Sequence, residues 1–338
     1  MDTFVKQLKN GWNLGNTLDA VPQDNATPTQ QETAWGNPVT TKEMIDLVKN
    51  TGFGILRIPT TWGKQLNDDY SIKPAWINRV QEIVDYGINN KLTVILNLHH
   101  EHWHFPDDKN YEQASKILKK VWLQIAEHFA NYDNSLIFEA MNEPRMVDTD
   151  LEWKGGNEES RRVVMQLNQD FVDTIRATGG NNSTRKLMIP TYAASADEKV
   201  LSDFVMPKGD NLIASVHAYT PYEFALSNEE EHKKITVWTS EHEKVVDDLF
   251  GRIDKTFLSK NIPVIMGECG ARNKNNNHVD RVKWAKYYTT VAKKYNVPCV
   301  WWDNGIFEGS DKTEIFGIMD RKSAKWAYPD VVDAFLNQ

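Results

Sequence analysis

The stretch VILNLHHEHWHFP, residues 94–106, can be read in two ways, and the two lead to different folds. His100-Glu101-His102-Trp103-His104 matches the letters H-E-x-x-H, in which two histidines bind zinc from one face of a helix beside a glutamate base. That reading needs a helix through these residues. Leu92 to Leu98, just before them, is an apolar, β-branched run of strand length. Phe105-Pro106 follows, and proline drives the preceding residue out of the helical region. The stretch therefore reads as a strand running out into a loop, with the zinc pattern a coincidence in a chain holding nine histidines.

Working outward, the same unit recurs. Apolar runs that end in polar or aromatic residues occur at 11–16, 55–59, 94–100, 136–143, 186–192, 212–219, 263–269 and 298–302. Segments of mostly helical period separate them, from TKEMIDLVKNTG before the second run to VDRVKWAKYYTTVAKKYN before the last, and AKWAYPDVVDAFLN follows. Strict alternation of strand and helix predicts a parallel sheet, and eight repeats predict a closed (β/α)₈ barrel of the TIM type. No glycine-rich phosphate loop follows the first run, which argues against an open dinucleotide-binding sheet. With no proline- or serine-rich linker, residues 1–338 are expected to form a single domain.

Composition removes other classes. The chain has 39 basic and 47 acidic residues, a formal charge of −8, and no basic stripe that would follow a phosphate backbone, so nucleic acid is not an expected partner. No apolar run reaches membrane-spanning length, and MDTFVKQLKN lacks the apolar centre of a signal peptide. Cys269 and Cys299 are expected to be buried free thiols.

In an eight-stranded barrel the chemistry gathers at the C-terminal strand ends. Here those ends carry Asn16, Arg57, His99, His100, Asn142, Glu143, His217, Tyr219, Glu268 and Trp302. Burying so many polar groups at one level is costly unless they act together. Glu143 and Glu268 close the fourth and seventh runs, which lie roughly opposite each other across the ring. Two facing carboxyls are what cleavage of a glycosidic bond requires, one to protonate the leaving oxygen and one to attack the anomeric carbon or activate water. In that scheme Arg57 holds a neighbouring carboxylate ionised, while His217 and burial raise the pKa of the acid. Asn142 is placed to bond a sugar 2-hydroxyl.

GWNLGNTLDA, LRIPTTW, LNLHHE, FEAMNEPR, HAYTP, GECGA and VWWDNG resemble the strand-end motifs of glycoside hydrolase family 5, in its branch of bacterial and rumen-type endo-β-1,4-glucanases (cellulases). The resemblance covers nearly the whole chain. It implies a retaining glycosidase with no metal or organic cofactor, Glu143 as acid/base, Glu268 as nucleophile, and Arg57, His99, Asn142, His217, Tyr219 and Trp302 around them. Cys269 departs from the aromatic expected after the nucleophile. The expected partner is a β-glucan polysaccharide or oligosaccharide, met by a secreted monomer. Trp302 is the first candidate for stacking on a sugar ring, followed by Trp35, Trp62, Trp103 and Trp153 in strand-end loops; Trp76, Trp122, Trp284 and Trp326 are expected in helices. Three alternatives stay open: the same mechanism on xyloglucan, mixed-linkage glucan, mannan or xylan; a metal-dependent hydrolase using His99, His100, His102 and His104; and a non-catalytic carbohydrate-binding barrel.

Overall fold

Eight parallel strands close on themselves: β1 Gly11–Leu14, β2 Ile55–Ile58, β3 Thr93–Asn97, β4 Leu136–Glu139, β5 Leu187–Ser195, β6 Leu212–His217, β7 Val264–Cys269 and β8 Cys299–Asp303. This is the architecture of a computed structural model, which describes residues 3–230, 232–309 and 313–337. Each strand pairs with the next, and β8 returns to β1 with Asn13 opposite Trp302 and Leu14 opposite Asp303. The expected (β/α)₈ barrel is present. The extreme ends of the expected 1–338 domain lie outside the described residues.

Helices cover the barrel because their apolar residues recur at the helical period. Pro74–Asn89 buries Trp76, Ile77, Val80, Ile83, Val84 and Gly87, a stripe on one face, and it starts at a proline whose missing N–H costs nothing in a first turn. Asp108–His128, Glu158–Ala177, Ser240–Thr256 and His278–Lys294 do the same, whereas the segment around EKVLSDFV forms only the single turn and a half Glu198–Ser202. Trp76, Trp122 and Trp284 are fully buried as expected of helix residues. Trp326 is not in a helix: it lies in a two-stranded hairpin, Met319–Asp320 with Lys325–Trp326, and donates to Thr51 Oγ1 at 2.7 Å.

Alternation along the strands splits the core in two. Leu56, Val94, Leu96, Leu136, Phe138, Leu212 and Ala214 face outward to the helices, while Ile55, Ile95, Ile137, Met188, Ile213, Ile265 and Val300 meet inside the ring. Val5, from the short helix Thr3–Gln7, packs into this inner cluster and stops the barrel at its N-terminal end. Gly11 belongs at the same level: a Cβ there would stand 2.6 Å from Ile55 Cβ, so no larger residue fits.

The seam between first and last strands is tied by one carboxylate. Asp303 Oδ2 accepts from Trp12 Nε1 at 3.0 Å and from the N–H groups of Ile318 and Met319, while Oδ1 accepts from Gly305 N–H at 2.7 Å and Arg321 Nη2 at 3.1 Å.

The stretch from 94 to 106 resolves as strand and loop. β3 stops at Asn97, residues 98–107 are irregular, and the next helix starts at Asp108, so His100 and His104 share no helix face. Glu101 serves the structure of this loop, since its buried carboxylate accepts from Trp62 N–H at 2.6 Å and from Trp103 Nε1 at 2.7 Å. Trp62 is itself fully buried and bonded to Asn97 O, so it is not a sugar platform.

Candidate active site

Two residues beyond the apolar inner layer, on the same face of seven of the eight strands, comes a mostly polar layer of Asn13, Arg57, Asn97, Glu139, Ser215 and Trp302, with Gly267 on β7; β5 has Pro190 at this level. Arg57 is its centre. Nε donates to Glu139 Oε2 at 2.8 Å; Nη1 donates to Asn13 Oδ1 at 2.9 Å and Glu268 Oε1 at 2.7 Å; Nη2 reaches Asn142 Oδ1 at 2.8 Å and Glu139 Oε2 at 2.7 Å. Removing a guanidinium from water costs several kcal/mol unless its donors and charge are matched. Here four N–H groups donate to acceptor oxygens, and ion pairs with Glu139 and Glu268 balance the charge.

The upper ends of the strands add the remaining groups. Glu268, on β7, takes Arg57 on Oε1 and the Tyr219 hydroxyl on Oε2 at 2.7 Å, so both oxygens are fixed. His217 Nδ1 lies 2.8 Å from Glu143 Oε1 and 3.7 Å from Glu268 Oε1. One oxygen each of Glu143 and Glu268, with a His217 nitrogen, lie within 4.8 Å of one another.

Glu143 is not a strand residue, contrary to expectation. β4 ends at Glu139, and the chain then crosses toward β3, Asn142 N–H donating to Leu98 O at 2.8 Å. Ala140 and Met141 are buried, and they prolong the apolar run past the end of sheet pairing. The carboxylate that β4 itself carries is Glu139.

A family model described as Cellulase (glycosyl hydrolase family 5) matches residues 20–308. The chain belongs to glycosyl hydrolase family 5. Endoglucanase A of Clostridium longisporum is 46% identical to this family 5 chain over 98% of its length, which spans 65% of that longer protein. Among solved structures, a GH5-4 broad specificity endoglucanase from Ruminococcus champanellensis with bound cellotriose is 44% identical, with a TM-score of 0.94 and coverage of 98% of this chain and 97% of that one. A xyloglucan-specific endo-β-1,4-glucanase from a metagenomic library, in complex with cellotriose, is 38% identical with a TM-score of 0.93, covering 98% of this chain and 97% of that one.

Electrostatics in this family 5 site correct a second expectation, that His217 raises the pKa of Glu143. Burial does push Glu143 up, but the hydrogen bond and charge of His217, helped by Arg145 and His100, outweigh it and hold the carboxyl below its ordinary value. The reason is that three carboxylates surround His217. Burial opposes its charge, yet Glu268, Glu139 and Glu143 around it lift it from 6.5 to about 9, with Arg57 opposing. Tyr219 is pushed well above 10 by burial and then by the charge of Glu268, so it stays a phenol and a donor.

The residues expected to meet a sugar form a second group. Trp302 stacks on His99, centroids 5.8 Å apart and planes 6° from parallel; His99 meets His100 edge-on at 4.5 Å, and Trp35 lies 5.5 Å from His100. Burial lowers His100 to about 4, and His99 falls well below 6.5 through burial, His100 and Arg57, so both rings are neutral and can donate as well as accept. Asn142 is oriented by Arg57, which occupies its Oδ1 and leaves the amide nitrogen as the other end. Asn16 is held by its main chain, N–H to Asp19 and carbonyl to Asn37, at a left-handed φ of 54°. Trp153 stands apart and exposed, joined to the carboxylates by Arg145, whose guanidinium lies 4.0 Å over the indole and 3.6 Å from Glu143 Oε2.

Sequence reasoning missed Asn13, Asn97, Glu139 and Ser215, all fully buried in the polar layer. A signal for them exists. Each is the polar residue two places beyond an inward glycine or isoleucine, so period-two counting from the inner layer finds them.

Proposed function

We propose that this chain is an endo-acting β-1,4-glucanase that cleaves β-glucan with net retention, through an ester on Glu268. The observation that carries this is the closeness of Glu143 and Glu268, whose nearest oxygens fall within 4.8 Å, whereas an inverting enzyme needs about 6.5 to 9.5 Å between its carboxyls to seat water. Glu268, with Arg57 and Tyr219 fixing its oxygens, attacks the anomeric carbon while Glu143 gives a proton to the departing glycosidic oxygen. Water then enters, Glu143 takes its proton, and the ester breaks with a second inversion. His217 and Glu143 share a hydrogen bond, so the proton required in the first step belongs to the pair.

Trp302 on His99, with Trp35 and His100 beside it, supports a flat glucan chain on the non-reducing side of the cut; Trp153 over Arg145 supports it on the leaving side. The exposed position of Trp153, 60% accessible, leaves room for the side branches of xyloglucan, which with the linear mixed-linkage glucan ranks as a secondary substrate ahead of mannan and xylan. A polymer of this size is met outside the cell, which fits a secreted enzyme. Reducing-sugar release should be greatest on soluble β-1,4-glucan, lower on mixed-linkage glucan and xyloglucan, and should survive dialysis against a chelator. Proton NMR of the first product should show the β-anomer before mutarotation; an initial α-anomer would refute the double displacement, and activity lost to the chelator would favour a metal-dependent reaction.

A further inference from the structure

Glu139 touches neither reacting carboxylate, yet Arg57, which holds Glu268, and His217, which holds Glu143, both lie against it. Its Oε2 takes Arg57 Nε at 2.8 Å and Asn97 Nδ2 at 3.0 Å; its Oε1 takes Ser215 Oγ at 2.6 Å and lies 3.9 Å from His217 Nε2. The side chain is fully buried. We propose that Glu139 is a positioning residue of the reaction, the fixed counter-charge that holds Arg57 and His217 in place beside Glu143 and Glu268.

The argument is one of charge and reach. Arg57 and His217 stand side by side, Nη2 to Nε2 at 3.5 Å, and two cations that close repel unless anions surround them. Four ionisable neighbours face His217: Glu143 from the loop after β4, Glu268 from β7, Glu139 from β4 and Arg57 from β2, with neutral His99 near by. Of the three carboxylates, Glu143 gains and loses a proton during turnover and Glu268 loses its charge on forming the ester. Only Glu139 keeps its charge throughout. Burial would raise it, but Arg57, His217 and Ser215 bring it down to about 2, so it is ionised at every working pH. Ser215 and Asn97 leave the carboxylate no freedom to turn away. Close approach is built in as well: at Gly267 a Cβ would lie 2.9 Å from His217 Nε2 and 3.3 Å from Ser215 Oγ, so the strand makes room for the imidazole above Glu139.

This inference rests on the roles given to Glu143 and Glu268, and its test separates the two. Nitrogen-15 NMR of the histidine side chains, without substrate, should show His217 of the wild-type enzyme doubly protonated through neutral pH. Glu139→Gln should move the His217 titration, and with it the basic limb of kcat/KM on a soluble β-glucan, to lower pH by about one unit or more, the size of effect a charge within a few ångströms exerts. Glu139→Asp, which keeps the charge, should leave both near their wild-type positions. A wild-type His217 that is neutral at pH 7 would overturn the proposal even if Glu139→Gln failed to fold. So would a Glu139→Gln enzyme slower at all pH values with unmoved limbs. An enzyme inactive on every β-glucan whose His217 still shifts in Glu139→Gln would instead overturn the proposed reaction and leave this role standing.

Discussion

Replacing Glu143 or Glu268 with glutamine keeps the shape of the side chain and removes its ability to carry a proton or to attack. General acid assistance alone is worth ~10² to 10⁴ in rate, so each substitution should cost at least that factor in kcat on β-glucan while oligosaccharide binding, followed by calorimetry, stays nearly intact. A variant keeping a tenth of the wild-type rate would remove that residue from the mechanism. Glu101 shows how a buried carboxylate of the same chain can be structural. Burial raises it from 4.5 to about 7 against the hydrogen bonds of Trp62, Trp103 and Gly63. Because the folded state holds this proton more tightly than the unfolded chain, its contribution to stability is complete below pH 4.5 and is lost as pH climbs to 7. The loss is on the order of 3 kcal/mol by the usual conversion of a pKa difference. Glu101→Gln cannot accept from Trp62 and Trp103 together, so it should melt lower than wild type at pH 4.5, with the gap narrowing toward pH 8 in thermal scans. A pH-independent gap would show that Glu101 is already ionised in the folded protein.

At the scale of a strand, β7 carries Glu268 and leaves space for a neighbour's ring. Gly267→Ala puts a methyl 2.9 Å from His217 Nε2, and the imidazole has to give way. A displacement near 1 Å at a reacting group can cost about 10²-fold, so kcat should fall by roughly that much with the melting temperature little changed. An alanine variant of full activity would mean His217 can move without consequence. The strands also show what the sequence discloses. Each apolar run overlaps an observed strand, although β3 starts one residue before its run, β5 ends three residues after and β8 one after, because β-branched stretches between helical segments have few other uses in a barrel of this length. Their ends were harder to place. Ala140 and Met141 are as apolar as a strand interior, so Glu143 reads as a strand end and Glu139 vanishes inside the run. His99, His100 and Tyr219 likewise lie past the last paired residue, in loops whose course depends on tertiary bonds such as His99 N–H to Thr60 O at 2.8 Å.

For the whole molecule, the eightfold alternation of strand and helix was legible because it is a statement about periods, and the family resemblance agreed with it. The charge state of His217 was not legible. It depends on three carboxylates from β4, the loop after it and β7 converging on one ring, and no local pattern encodes that sum. Trp326 was misplaced for a similar reason: its partner, Thr51, lies 275 positions away.

Asp303 gathers Trp12, Gly305, Ile318, Met319 and Arg321 on one carboxylate, joining the first strand to residues near the far end of the chain. On a ribosome, synthesis runs from the amino end, so Trp12 emerges almost three hundred residues before its acceptor exists. Until β8 has cleared the exit tunnel the nascent chain can build only an open sheet, with the pairing edge of β1 unsatisfied and exposed to other chains. Closure is a late event on the assembly line, and the interval before it is when the edge of β1 stands open to pairing with other chains.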